Sequence, residues 1–333
     1  MRRLPAEFEE QSFIQLIFPH KSSDWAQYLE EAEENFIRII KAIATYQECL
    51  VICDDKDYVH SKFDSHTNIH FIQLPSNDTW ARDCSAITVY EDGTPLLLDF
   101  DFTAWGGKFE AGLDNALNQK LSKSYDAPME KIDFILEGGA IESNGKGTLL
   151  TTSECVFNPN RNSMNTEESK KVIMELFGVS NILSLKHGYL SGDDTDSHID
   201  TLARFVDEHS IVYLKCEDKD DEHYQELQAM ETELQGFEDQ DGKSFKLIPL
   251  PFTKPFYDAD ERLPATYANF LILNEAVLVP VYDDPNDDIA LKILSQAFTQ
   301  RKIIPIDCST LIRQHGSLHC VTMQFPQGLN LKV

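Results

Sequence analysis

The sequence predicts a single α/β domain spanning residues 1–333. Three observations carry that reading. Short apolar runs of strand length alternate with stretches of helical period, the alternation continues along the whole chain, and no Pro/Gly/Ser-rich linker interrupts it. A chain of 333 residues with 42% hydrophobic and 10% aromatic residues has ample material for a packed core.

The first unit sets the pattern. Residues 13–18 form an apolar run that reads as a buried strand. Behind it, Ser22, Ser23 and Asp24 are cap candidates for a helix whose apolar side is Trp25, Leu29, Phe36, Ile39, Ile40 and Ile43. Strands are expected over 50–53, 69–74 and 96–99, a helix near 114–122, and a strand over 148–152. Further on come a helix near 166–177, a strand over 211–215, an acidic helix near 220–234, strands around Leu247 and Leu271, and a helix near 286–298. The acidic run over 217–241 reads as a solvated helix with its flanks. Low identity between the units leaves a repeat undemonstrated.

Charge narrows the partners. A formal net charge of -27 disfavours nucleic acid and anionic membrane, which are held mainly by Lys and Arg, and suits a cationic ligand. Seven cysteines without framework spacing indicate a reducing compartment, so a cytoplasmic, soluble protein is expected. The N-terminus turns acidic where a signal peptide needs its apolar stretch.

Reactive residue types gather in four segments. In Asn77-Asp78-Thr79-Trp80-Ala81-Arg82-Asp83, an extended backbone would point Trp80 and Asp83 to opposite sides, so a turn is needed to bring both to one ligand. Taken alone, the segment reads as a core tryptophan beside a surface ion pair. Leu136-Glu137-Gly138-Gly139 ends an apolar strand with a carboxylate and two glycines that permit close backbone approach.

The third segment, Gly192-Asp193-Asp194-Thr195-Asp196-Ser197-His198-Ile199-Asp200, would place His198 and Asp200 on one face if extended, an imidazole beside a cation anchor. It does not match a calcium loop, because counting from Asp194 puts Ile199 at the glycine position and Phe205 at the bidentate glutamate. Nor does an HExxH or CxxC provide a zinc set, and no metal or organic cofactor is expected. In the fourth, Gln314-His315-Gly316-Ser317-Leu318-His319-Cys320, the Gly-containing turn and two histidines suggest a partly exposed, electropositive setting that would activate the Cys320 thiol.

Together with Trp105-Gly106-Gly107-Lys108, Asn158-Pro159-Asn160-Arg161-Asn162 and Leu263-Pro264-Ala265-Thr266-Tyr267, these segments resemble, in order and over nearly the whole chain, the agmatine deiminases and the related bacterial peptidylarginine deiminases. The resemblance implies the pentein fold, a five-bladed α/β propeller with pseudo-fivefold symmetry. It also implies hydrolysis of agmatine to N-carbamoylputrescine and ammonia through an amidino-cysteine intermediate, in putrescine and polyamine biosynthesis.

On the matching positions, Cys320 is the implied nucleophile and His198 the acid/base. Asp83 and Asp200 are the guanidinium anchors, Glu137 is the carboxylate that works with the histidine, and Trp80 flanks the substrate. Asp193 and Asp194 are candidates for the far amine of agmatine. A homodimer or higher homo-oligomer is implied as well. The alternatives are a deiminase acting on arginine in proteins or peptides, a thiol amidase, and a non-catalytic pentein binding factor. The chain departs from the family at Ser197, where glycine is usual, and in the turn before His319, where a Gly-rich sequence is common.

Overall fold

The computed structural model describes residues 1–332. Its strands assemble into five small mixed sheets built on one plan, plus a short hairpin of Phe256–Asp258 and Glu261–Leu263. In each sheet a first strand pairs antiparallel with a second, and the second pairs parallel with a third. The successive trios are Thr322–Pro326, Gln11–Ile17 and Glu48–Cys53; Ile87–Glu91, Thr94–Asp101 and Met129–Ile135; Ile141–Ser143, Thr148–Thr152 and Asn181–Leu185; Ala203–Asp207, Ser210–Lys215 and Lys246–Pro251; and Leu271–Ile272, Ala276–Val281 and Lys302–Asp307. The first sheet adds Ile69–Gln73 in parallel. The last strand of the chain thus pairs with the first long one, joining the two ends of the fold.

A parallel pair cannot be closed by a tight turn and needs a crossover, and helices supply it. Leu29–Ala44 buries Phe36, Ile39, Ile40 and Ile43 on the side the sequence indicates. Thr166–Phe177 begins at a capping box, Asn165 with Glu168, and ends at Gly178 in the left-handed conformation, φ 64°. Tyr224–Gln235 buries Leu227, Met230 and Leu234 and exposes Gln225, Gln228, Thr232 and Gln235, while its glutamates are half-buried against the neighbouring strands, Glu231 on Tyr213 and Lys215 and Glu233 on Lys186 N, rather than fully solvated as the charge run suggests. Asp287–Ala297 serves the last sheet.

One local expectation is corrected. The candidates Ser22, Ser23 and Asp24 precede a 3-10 turn, Asp24–Tyr28, and the α-helix proper starts at Leu29. The hydroxyl of Ser23 instead donates to the His20 carbonyl, one of the local bonds with which serine competes with helix. Among the described residues no helix is long and apolar enough to cross a membrane, and all seven cysteines are free and buried.

The plan positions the site. Each antiparallel first strand is preceded by a short turn, and those five turns carry Trp80–Asp83, Glu137–Gly139, His198–Asp200, Asn269, and His319–Cys320. Residues far apart in sequence therefore meet at equivalent ends of five sheets.

Candidate active site

At the first turn, Asp83 N and Cys84 N donate to the Trp80 carbonyl in the short helix Ala81–Cys84. The required turn is present, and Trp80 and Asp83 face one cleft. Asp83 is fixed from two sides: Gly139 N donates to Oδ1 at 3.0 Å and the Trp105 indole Nε1 to Oδ2 at 2.9 Å. His198 Nδ1 lies 3.6 Å from Asp83 Oδ1, and its Nε2, buried without a hydrogen-bond partner, lies 4.0 Å from Glu137 Oε2. Glu137 is held by Arg161 Nε at 2.7 Å.

Asp200 Oδ2 lies 2.7 Å from His319 Nδ1, whereas its Oδ1 is buried with no partner. The Cys320 thiol reaches Asn269 Oδ1 at 3.4 Å, and the same oxygen accepts His319 N at 2.8 Å.

Gly139 sits at the centre of this set. A Cβ there would lie 2.6 Å from His198 Nδ1, 2.9 Å from Asp83 Oδ1 and 3.1 Å from Asp200 Oδ2. Any side chain would occupy the space where these three groups converge.

The cleft has a volume of about 580 Å³. Asp24, Asp78, Asp83, Glu110, Asp114, Asp193 and Asp194 contribute seven carboxylates to its lining, and no lysine or arginine is among the lining residues. Trp80, Trp105, Phe102 and Phe109 give it aromatic walls, and Cys320 lies at its base. Burial pushes Asp78 and Asp114 up to about 7, with the charges of Asp24 and Asp114 adding to the effect on Asp78.

Deeper in, burial and then the charges of Asp200 and Glu137 raise the Asp83 carboxyl well above its ordinary value. Burial also raises Glu137, against the opposing charge of Arg161. It pushes the His198 imidazole down to about 3, which favours the neutral ring. For Asp200 burial acts upward too, but the hydrogen bond from His319, with the charge of Arg204 behind it, outweighs it and holds the carboxyl below the usual range.

Residues 3–326 match the family model of the Porphyromonas-type peptidyl-arginine deiminases. The chain belongs to that family. A Marinomonas sp. protein provisionally named agmatine deiminase is 31% identical, over 99% of this chain and 96% of its own. The fold superposes on the agmatine deiminase of C. jejuni with substrate bound, a cysteine-to-serine variant, at a TM-score of 0.94, with 43% identity over 98% of this chain and 97% of that one. It superposes on the agmatine deiminase of Enterococcus faecalis at 0.91, with 27% identity over 98% of this chain and 96% of that one.

In this deiminase-family chain, Cys320, His198, Asp83, Asp200, Glu137 and Trp80 gather at one place, but the setting of Cys320 differs from the expectation. The thiol is buried, 6% exposed, and its neighbours are acidic. Burial, and then the charges of Asp200 and Asp83, raise it well above its ordinary value. Neither expected histidine hydrogen-bonds the thiol: the His319 ring lies between Asp200 and Glu7, and His315, at the cleft wall, has its Nδ1 2.7 Å from the Gly192 carbonyl.

His198 and Asp200 are joined by a 3-10 turn, Ile199–Thr201, rather than an extended stretch. Their side chains still converge, because both border Gly139. Glu137 is 1% exposed, so it is no surface strand end.

Of the two amine candidates, Asp193 commits both oxygens to its own loop, accepting the Thr195 hydroxyl at 2.6 Å and Ser197 N at 2.7 Å. That brace holds Asp196 and Ser197 at φ 65° each, the left-handed region that favours glycine. The departure from the family at Ser197 therefore falls where the backbone asks for glycine. Asp194 keeps its carboxylate at the cleft.

Sequence reasoning left Trp105, Arg161, Gly139 and Asn269 without roles. Trp105, Arg161 and Gly139 lie within short motifs that carry the family resemblance, which is a signal. Asn269 lies just outside one, two residues beyond Leu263-Pro264-Ala265-Thr266-Tyr267. Two groups of buried donors approach metal-ligating range, Glu137 with Cys155 and His198, and Glu7 with Glu142 and His319. In each, a buried arginine already faces the carboxylates, Arg161 in the first and Arg204 in the second.

Proposed function

We propose that this chain hydrolyses agmatine to N-carbamoylputrescine and ammonia through a covalent intermediate on Cys320. The observation that carries the reading is the convergence of His198, Asp83 and Asp200 around Gly139, with Cys320 beside the two aspartates and Asp83 and Cys320 lining a cleft rich in carboxylates and without lysine or arginine.

A guanidinium is planar, permanently charged and rich in N–H donors, so two carboxylates can hold it with its central carbon over the sulfur. Asp200 Oδ1, buried and unpartnered, is an acceptor ready for one of those N–H groups. Carboxylates also stabilise the ground-state cation, so positioning must supply much of the acceleration.

Burial favours Cys320 as a thiol and His198 as a neutral base. An arriving cation offsets the charges of Asp83 and Asp200 that oppose thiolate formation, and the proton passes from sulfur to His198. The thiolate attacks the guanidinium carbon. His198 returns the proton to the departing nitrogen, the C–N bond breaks, and ammonia leaves. His198, neutral again, takes a proton from water that attacks the amidino-thioether carbon. The C–S bond then breaks and the sulfur recovers a proton. Glu137, fixed by Arg161, orients and supports the charged imidazole. Trp80 walls the substrate, and Asp194 receives the far ammonium. The scheme uses these side chains and water alone.

The second reading is deimination of arginine in peptides, which the family's description favours. The cleft favours agmatine, because its acidic walls suit a second positive charge and repel the α-carboxylate of free arginine. Ammonia release from agmatine, arginine and a peptide with internal arginine, compared at equal concentration, tests this. Agmatine is expected to be fastest by at least ~10-fold, the effect of one charge interaction of about 1.4 kcal/mol. Faster release from the peptide would replace agmatine with peptidyl arginine, and no release from any of them would overturn deimination.

The wider reading is one catalytic domain with the five sheets as blades of a propeller. The shared plan of the sheets and the pairing of the last strand with the first support it. Seven free thiols support a cytoplasmic site, and the negative charge supports a small cationic partner rather than nucleic acid or membrane. Assembly as a homo-oligomer and a role in polyamine synthesis complete the proposal.

A further inference from the structure

Beneath the cleft lies a buried charged network in which the described mechanism has no part. Its centre is the His319 ring, 2% exposed, with Nδ1 at 2.7 Å from Asp200 Oδ2 and Nε2 at 2.7 Å from Glu7 Oε2. Glu7 cannot swing away: Arg204 Nη2 donates to its Oε2 at 2.6 Å and Ile272 N to its Oε1 at 2.8 Å. Arg204 is tied in turn to Glu142 and to the Phe270 carbonyl. His319 does not line the cleft; it borders a small cavity below it with Glu7, Arg82 and Glu142.

Both ring nitrogens face carboxylate oxygens, which accept from an N–H. Glu7 and Asp200 are both held below the ordinary carboxylate range; in each case burial acts upward and is outweighed, for Glu7 first by the charge of Arg204 and for Asp200 first by the hydrogen bond from His319. The ring thus bridges the two carboxylates through both of its nitrogens.

We propose that His319 is a positioning residue that pins Asp200 Oδ2, leaving Oδ1 aimed at the guanidinium, and that Glu7 in the N-terminal segment is its anchor. This rests on the reading of the site as a guanidinium cradle. Asp200 Oδ1 has no partner of its own, so without the clamp nothing from the protein fixes the rotation of that carboxylate. The clamp also ties cradle to nucleophile, because His319 precedes Cys320 in the chain and both backbone N–H groups donate to Asn269 Oδ1, at 2.8 and 3.3 Å.

Two near-isosteric variants separate the halves of the clamp. In His319→Asn the amide nitrogen falls near Nδ1 and keeps the bond to Asp200. In His319→Gln it falls near Nε2 and keeps the bond to Glu7. Agmatine affinity is measured by calorimetry in a Cys320→Ser background, which removes turnover, alongside the melting temperature of each protein.

The Asn variant should bind within ~5-fold of its parent and the Gln variant ~10–100-fold more weakly, the loss of one charge-assisted hydrogen bond. Melting temperatures should fall by similar amounts in the two, since each loses one bond. Equal affinities, or affinities that simply follow melting temperature, would overturn the proposal. Should the Gln variant fail to fold, Glu7→Gln decides: it removes the anchor's charge and should weaken agmatine binding ~3–10-fold, and unchanged binding would refute the anchor. Turnover by the unaltered chain reports on the deiminase reading separately.

Discussion

Replacing Gly139 with alanine probes the convergence of the site with a single methyl group. Gly139 lies outside the left-handed region, so the backbone accepts alanine and the effect is steric. The new Cβ would stand 2.6 Å from His198 Nδ1, 2.9 Å from Asp83 Oδ1 and 3.1 Å from Asp200 Oδ2. Carbon packs against its neighbours at about 3.5 Å or more, so the three groups must retreat by ~0.5–1 Å.

A displacement of about 1 Å from productive geometry costs on the order of 100-fold in rate. Inserting a methylene into a packed interior costs about 1–3 kcal/mol, which for a chain of this size lowers the melting temperature by only ~1–4 °C. Gly139→Ala should therefore lose ~100-fold in kcat/KM for agmatine while remaining folded, as read by steady-state ammonia release and a thermal melt. Gly236→Ala, whose Cβ would meet only ordinary contacts at 3.5 and 4.0 Å, is the matched control. Retention of kcat/KM within ~5-fold of wild type in Gly139→Ala would refute the placement of these three side chains around one point.

Two further outcomes follow from the electrostatics. Trp105→Phe keeps the aromatic wall but removes the indole N–H from Asp83 Oδ2. It should cost ~10–100-fold in kcat/KM, the range for a buried acceptor left unpaired, and a loss under twofold would show that Trp105 only packs. Agmatine binding should release protons. Burial and the charges of Asp200 and Glu137 shift the Asp83 carboxyl toward its protonated form, and a bound cation favours its ionised form. Affinity should accordingly rise with pH, and calorimetry in buffers of different ionisation enthalpy should register the release. Proton uptake, or affinity falling as pH rises, contradicts that charge balance.

Local chemistry made much of the fold legible. The 166–177 helix and Leu29–Ala44 could be read because apolar residues recur at helical spacing, and in the first of them the structure adds end signals at Asn165 and Gly178. The strands Ala276–Val281 and Lys302–Asp307 escape the pattern, each being short and interrupted by proline, Pro280 and Pro305. Lys302–Asp307 is an edge strand, where a missing N–H is tolerated.

The identity of the site residues was legible through motif order, but their surroundings were not. Asp83 meets Gly139 across 56 residues, Cys320 meets Asn269 across 51, and His319 meets Glu7 across 312. Contacts of that range are made where the turns at the ends of five sheets meet, and no local pattern encodes them. For the same reason Cys320, with histidines beside it in sequence, has carboxylates beside it in space.

The covalent step is tested most directly on Cys320 itself. Agmatine mixed with the unaltered chain and quenched in acid within a single turnover should leave Cys320 carrying an adduct with the mass of agmatine less ammonia. The adduct should appear by intact-protein mass spectrometry, map to the Cys320 peptide, and be absent when Cys320 is replaced by serine. Turnover by Cys320→Ser alone, or adduct on any other cysteine but not on Cys320, would contradict the account.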